Sequence, residues 1–192
     1  AAAPARPQRS APAIIIRCMA LSPPGTLWTV GHSTHPLREF LDMLHAHGIT
    51  RIADVRRFPG SRANPQFNPE RLGRALARAG ISYTAMPALG GRRKPRADSP
   101  HGAWHNESFR GYADYMDTRE FAEAAESLAA LAREDRVAVM CAEGVWWRCH
   151  RSMIADYFKA HGWNVLHILG MGEAKEHPYT AVARLVDGTL EY

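Results

Sequence analysis

A chain of 192 residues, 46% apolar and 22% charged, has the length and composition of one well-buried domain rather than two. No apolar run approaches the roughly 20 residues of a membrane-spanning helix, and "AIIIRCMAL", interrupted by Arg17, is not expected to act as a secretory leader. The net charge is +5, and the three cysteines, Cys18, Cys141 and Cys149, are too few and odd in number for a disulfide framework, so a reducing cytoplasm is the expected compartment.

Residues 1–26 are rich in Ala, Pro, Arg and Ser without periodicity. They bury too little apolar surface to offset ordering entropy, so a flexible arm is expected ahead of a single domain at 27–192. Met19 is the expected natural start. "LWTVGHS" (27–33) reads as a strand. Thr34 is the expected N-cap of the helix that follows, with Pro36 in its first turn, Leu37, Phe40, Leu41 and Leu44 on one face, and Gly48 as its stop. "ITRIADVR" (49–56) is a second strand, followed by a Pro/Gly/Asn-rich loop that carries Arg57 and Arg62. Asn68-Pro69 opens a second helix, Gly80 closes it, and "ISYTAMP" (81–87) is a third strand. The connection from Ala88 to Ser108 lacks periodicity, and a connection of that length in a compact domain is usually functional or disordered. A short helix and a long one occupy 109–135, with Phe121, Ala124, Leu128 and Leu131 inward. "RVAVMC" and "NVLHIL" (164–169) are the fourth and fifth strands, with a helix over 151–161 between them. Asp187-Gly188 marks a hairpin in the tail.

Strands alternating with helices predict a single-domain α/β fold with a mostly parallel sheet of about five strands. Ligands bind such sheets at the carboxyl ends of the strands. That rule gathers His32, Asp54 with Arg56, Pro87 onward, and Cys141 with its loop. Charge is unevenly spread as well. Residues 51–96 hold eleven Arg or Lys against Asp54 and Glu70, and residues 97–135 hold nine Asp or Glu against three Arg. A basic face for an anionic partner and a self-neutralising surface fit this equally.

Cys141 ends a strand ahead of a helix N-terminus, where the helix dipole and Arg148 and Arg151 would lower the thiol pKa and hold an anion. The plain alternative is that Cys141 is a buried small hydrophobe. Cys141 and Cys149 could also form a reversible disulfide, whereas their spacing suits no zinc site and no metal or cofactor is expected. Asp54 is either a base or orienting group or the partner of an ion pair with Arg56. Arginines 56, 57, 62, 92, 93, 96 and 110 suit phosphate, and Trp104, Tyr112, Trp146 and Trp147 could stack on bases.

"TVGHSTHPLREFLDMLHAHGI", "IADVRRFPGSRANPQFN", "LGGRR", "FRGYADYM" and "VAVMCAEGVWWRCHRSMIADYF" together resemble the domain of unknown function 488 family, from about Thr29 to about Arg184. The resemblance implies a small α/β domain without a settled reaction. Its motif residues here are His32, Ser33, Asp54, Arg56, Arg62, Asn64, Gln66, Phe67, Gly90, Gly91, Arg110, Tyr112, Cys141, Glu143, Cys149, His150 and Arg151. "EHPYTAV", with His177, is a looser match. The order of the Asp-Val-Arg strand, the Cys-ending strand, the helix and the Gly-rich turn is more distantly similar to rhodanese-like domains.

The leading expectation is action on, or binding of, an anionic, phosphorylated or nucleotide-like ligand. Cys141 would be the nucleophile, with Glu143, Asp54 and His32 as acid/base or orienting groups. Arg148 and Arg151 would clamp the anion, Arg56, Arg62 and Arg110 would line the mouth, and Asn64, Gln66, Tyr112, Cys149 and His150 complete the ligand-binding set. The alternatives are a nucleic-acid-binding module using the 51–96 arginines, a thiol redox or sulfurtransferase-like protein, and a partner-binding domain offering the acidic helix at 119–133. No membrane partner is expected, and the sequence does not fix the oligomeric state.

Overall fold

The computed structural model describes residues 24–192. Most of the arm expected at 1–26, with Cys18 and Met19, lies outside the described residues, and Thr26 already belongs to the first strand. The elements are β1 (Thr26–Gly31), α1 (Leu37–Ala46), β2 (Arg51–Asp54), α2 (Pro69–Arg78), β3 (Ser82–Ala85), α3 (Glu107–Met116), α4 (Arg119–Glu134), β4 (Val137–Cys141), α5 (Arg151–Ala160), β5 (Asn164–Ile168), β6 (Lys175–Glu176), β7 (Arg184–Val186) and β8 (Thr189–Glu191). Six strands form one sheet in the order β3-β2-β4-β1-β5-β6. The first five are parallel, and the short β6, which periodicity did not predict, runs antiparallel at the edge. β7 and β8 form a separate hairpin turned by Asp187 and Gly188, both at positive φ, as the Asp-Gly pair predicts.

The sheet is covered on both faces, so its strands read as apolar runs. Ala138 and Met140 of β4 pack in one core with Phe40, Leu44, Leu72 and Leu76 of α1 and α2. Val137, Val139 and Cys141 pack in the other with Tyr112, Phe121, Leu128 and Ile154 of α3, α4 and α5. Neighbouring strands β1 and β4 therefore send their chains onward over opposite faces, β1 through α1 toward β2 and β4 through α5 toward β5. The crevice beyond their carboxyl ends is the topological switch point of the sheet, where α/β folds bind ligands.

Local chemistry sets the helix limits. α1 begins at Leu37 behind Pro36, not at the expected Thr34 cap. The chain is held back there because Ser33 adopts a left-handed φ of 47° while its N–H bonds Ala142 O at 3.0 Å. Asn68 does stand at the N-cap of α2, yet its side-chain oxygen accepts from Ser61 N at 2.7 Å, tying down the 57–64 loop instead of the helix. Asn106 is a true cap, accepting from Ser108 N and Phe109 N. The connection before it is pinned by Arg93 stacked 3.6 Å over Tyr115 and by Asp114 accepting from Arg96 N. Among the described residues no helix is long and apolar enough to cross a membrane.

Candidate functional site

The site is assembled where the tips of β1 and β4 meet. In register, Gly31 lies opposite Cys141. Beyond that pair the two chains stay zipped, His32 N bonding Cys141 O at 3.0 Å. Glu143 then folds its carbonyl over Gly31 so closely that a Cβ there would lie 1.8 Å from Glu143 O. Only glycine admits this approach. The loop from Ala142 to Arg148 is thereby curled back so that Cys149 returns to Cys141, their sulfurs 2.8 Å apart and both buried.

Arg151, the first residue of α5, is 1% exposed and lies beneath this loop. Its Nη2 donates to Glu143 O at 3.1 Å and Gly144 O at 3.2 Å, while Nε and Nη1 are buried with no partner among the described residues. The hydrogen bond from Cys149 holds the Cys141 thiol below its ordinary pKa, against the opposing effect of burial and with help from the Arg151 charge. The same hydrogen bond, with burial, pushes Cys149 well up. The pair is thus polarised, with Cys141 the sulfur that ionises more readily and Cys149 the one that holds its proton more firmly. His150 Nδ1 lies 3.5 Å from Cys149 Sγ, and burial lowers this imidazole to about 4. Gly91 packs directly on its ring, a Cβ there lying 2.8 Å from Nδ1.

On the other face of the sheet Asp54 and Arg56 form a buried bidentate pair, Nε to Oδ1 at 2.8 Å and Nη2 to Oδ2 at 2.6 Å. Tyr83 OH also donates to Asp54 Oδ2 at 2.8 Å. Arg56 Nη1 reaches His32 Nε2 at 3.1 Å. Since a guanidinium only donates, His32 Nε2 accepts, and its Nδ1–H donates to Ser33 O at 2.9 Å. Burial, first, and the Arg56 charge hold His32 neutral, at about 4, and its ring stacks on Phe67. Every polar atom of this trio is engaged. Asp54 is thus found in the expected ion pair with Arg56, at the strand end that borders the β1–β4 crevice.

The remaining expected residues separate by position. Arg148 is exposed at the end of a short 3-10 turn, so it is Arg151 and not Arg148 that underlies the thiols. Glu143 is exposed, its carbonyl accepts from Arg151, and its charge opposes ionisation of Cys141. Arg56 is buried and does not line a mouth. Arg62 is exposed, Asn64 N bonds Ser61 Oγ, and Gln66 Nε2 reaches His35 O, all in the loop after β2. Arg110 is half-buried, its Nη2 3.8 Å from Glu107. Tyr112 lies in the core with its OH on Leu89 O. Grooves between α1 and α2, lined by Leu37, Leu41 and Ala75, and beside Pro69 and Arg71 involve none of the crevice residues.

A second polar network was not foreseen from sequence. Asp156 of α5, fully buried, accepts from Thr180 N, Thr180 Oγ1, Tyr192 OH and His177 Nε2. His177 Nδ1 in turn faces His167 Nε2 at 2.9 Å, and His167 Nδ1 faces Thr29 Oγ1 at 2.6 Å. With both imidazoles neutral the carboxylate sets the directions in this chain: His177 donates to Asp156, His167 donates to His177, and Thr29 donates to His167. Burial lowers His167 to about 3. Trp146, in the loop between the two cysteines, lies flat on His167 with ring centroids 4.4 Å apart and 5° between planes. The network is therefore the floor on which that loop rests. Its only sequence signals were a histidine within the apolar strand "NVLHIL" and an aspartate on the apolar face of α5.

No curated protein and no solved structure matches the chain. One family does match, over residues 36–158, more than half of the sequence and less than the stretch from Thr29 to Arg184 on which the resemblance was drawn. The matched span holds Asp54, Arg56, both thiols and Arg151, with Gly31, His32, His167 and His177 outside it. The chain belongs to the family described as "Domain of unknown function DUF488".

Proposed function

We propose that the protein carries out cysteine-dependent chemistry on a small anionic ligand at the β1–β4 crevice. Cys141 is the nucleophile and Arg151 the group that holds the ligand's negative charge. The observation that supports this reading is the Arg151 guanidinium, buried beside a thiol of lowered pKa with two N–H-bearing nitrogens unpartnered among the described residues. A buried cation without a neutralising carboxylate is costly. A thiolate, a bound anion, or both in turn would offset that cost, and bidentate recognition is what a guanidinium does best.

Alkylation of Cys141 by iodoacetamide, followed by mass spectrometry from pH 5 to 9, tests the reading. The rate should reach half its maximum below the free-cysteine value of about 8.5. Phosphate or sulfate should slow labelling in the parent chain and not in Arg151→Met. A Cys141 that labels no faster than free cysteine, or not at all, ends the nucleophile role.

A second reading rests on a different surface. Phe58, 63% exposed, stands between the guanidinium groups of Arg57 and Arg92, 5.6 and 6.0 Å from its ring centre. An exposed aromatic with cations on it is the pattern that stacks single-stranded bases. This reading expects oligonucleotide binding that weakens steeply with salt and with Phe58→Ala, unchanged in Cys141→Ser. Absence of binding at low salt removes it.

A further inference from the structure

We propose that Cys141 and Cys149 form a working dithiol–disulfide couple whose oxidising substrate is hydrogen peroxide. This rests on Cys141 being the nucleophile, as proposed above, and adds to it a second thiol, a substrate class and a turnover. The geometry carries it. The sulfurs stand 2.8 Å apart, so closing to a bond of about 2.05 Å needs under an ångström of movement. The loop that joins them is held curled by two fixed contacts, Glu143 O over Gly31 and Trp146 on His167, so the sulfurs are brought together by the fold and not by chance rotamers. Both are buried, 2% and 5% exposed, which restricts the reagent to a small one. The unpartnered Nε and Nη1 of Arg151 supply donors where negative charge develops on a departing oxygen.

The chemistry balances in two steps. The Cys141 thiolate attacks one peroxide oxygen. An S–O bond forms, the O–O bond breaks, and the departing hydroxide, held at Arg151, takes a proton from solvent and leaves as water. Cys141 is now a sulfenic acid, oxidised by two electrons, and the peroxide is reduced. Cys149 then attacks the Cys141 sulfur. An S–S bond forms, the S–O bond breaks, and the hydroxyl leaves with the Cys149 proton as a second water. An external dithiol resets the pair by exchange, becoming a disulfide itself. The polarised state of the thiols suits this order, since the sulfur that attacks is the one inclined to thiolate and the one that resolves is the one that keeps its proton.

The test uses the full chain with Cys18→Ser, so that only the pair remains. Stoichiometric hydrogen peroxide is added, followed by alkylation and peptide mass spectrometry. The expected products are a Cys141–Cys149 disulfide in the parent and a dimedone-trapped Cys141 sulfenic acid in Cys149→Ser. Cys141 should oxidise at least about tenfold faster than free cysteine, since a departing oxygen would find the Arg151 donors already in place. Arg151→Met should lose most of that gain, and dithiothreitol should restore two alkylatable thiols. Both cysteines remaining alkylatable after peroxide would overturn the proposal. So would a disulfide no faster to form than in free cysteine. If Cys141 alkylates rapidly yet resists peroxide, the couple fails and the nucleophile reading stands. If it resists both reagents, both fail.

Discussion

Gly31→Ala is the sharpest test of how the crevice is held. The added Cβ would lie 1.8 Å from Glu143 O, 2.7 Å from Glu143 C and 2.9 Å from Gly144 Cα, all backbone, so no side chain can swing aside. Ordinary contact begins at 3.4 Å, and the carbonyl must retreat by roughly 1.6 Å. Overpacking of this kind costs about 1–3 kcal/mol. The retreat also strains the Arg151 Nη2 bond to Glu143 O, a charge-assisted bond of about 1.5–3 kcal/mol. Together, about 2.5–6 kcal/mol should lower the melting temperature by roughly 5–24 °C in a chain of this size. Thermal unfolding measures this against Gly60→Ala, where an added Cβ meets nothing within 4 Å. Iodoacetamide labelling of Cys141 adds a second readout, since moving the loop separates the two sulfurs. A Gly31→Ala chain melting within about 2 °C of the parent, with unchanged thiol reactivity, would refute the account of the loop.

Asp54→Ala strands the buried Arg56 guanidinium and should cost about 3–5 kcal/mol in urea unfolding. Adding Arg56→Met should recover part of that loss, and a double variant no better than the single would contradict the pairing. His32, His150 and His167 are held neutral by burial, at about 4, 4 and 3, so each binds a proton more readily when unfolded. Their contribution is complete above the unfolded value of about 6.5 and is lost as pH falls toward 4, with a limiting slope of about 1.4 kcal/mol per pH unit for each group that titrates only when unfolded. Urea midpoints should therefore fall between pH 7 and pH 5, and a flat profile would count against burial as the cause. His177→Phe leaves His167 Nε2 without an acceptor and takes one donor from Asp156, at about 1–3 kcal/mol for each orphaned group. Trp146 fluorescence should shift with it, and an unaltered emission spectrum would detach the loop from the network.

The fold was legible because the apolar runs were short, most were bounded by Gly, Pro or Asn, and most alternated with a helical stripe. Gly48, Gly80 and Gly162, all at positive φ, close α1, α2 and α5 as their positions predict. The Thr34 cap failed for a reason no local pattern contains, since Ser33 answers to Ala142, a residue more than a hundred positions away. The same limit separates Arg148 from Arg151. Spacing from Cys141 gives reach but not direction, and the 3-10 turn at 146–148 faces one arginine to solvent while the start of α5 places the other beneath the loop. The Asp156 network was hidden more thoroughly. Thr29, His167 and His177 become neighbours only through the β1–β5 register, which sets Thr29 opposite His167, and through β6, which returns His177 alongside β5.

Two buried arginines approach the crevice from opposite faces of the sheet, and their different company divides the labour between them. Arg56 has its charge matched by Asp54 and its remaining donors taken by Phe67 O and His32. It is saturated, and its worth lies in fixing the strand end from which His32 and the 57–64 loop depart. Arg151 has two carbonyls and, among the described residues, no carboxylate. A guanidinium does not deprotonate to escape burial, so its charge must be met from outside that set. The sulfur of Cys141, whose ionised form Arg151 favours, is a group able to become negative without moving the fold. A thiolate would make the arginine less costly to bury, and the arginine makes the thiolate less costly to form. Each therefore explains the other's place in the crevice, and the charge that completes the pair is the one the chemistry would use.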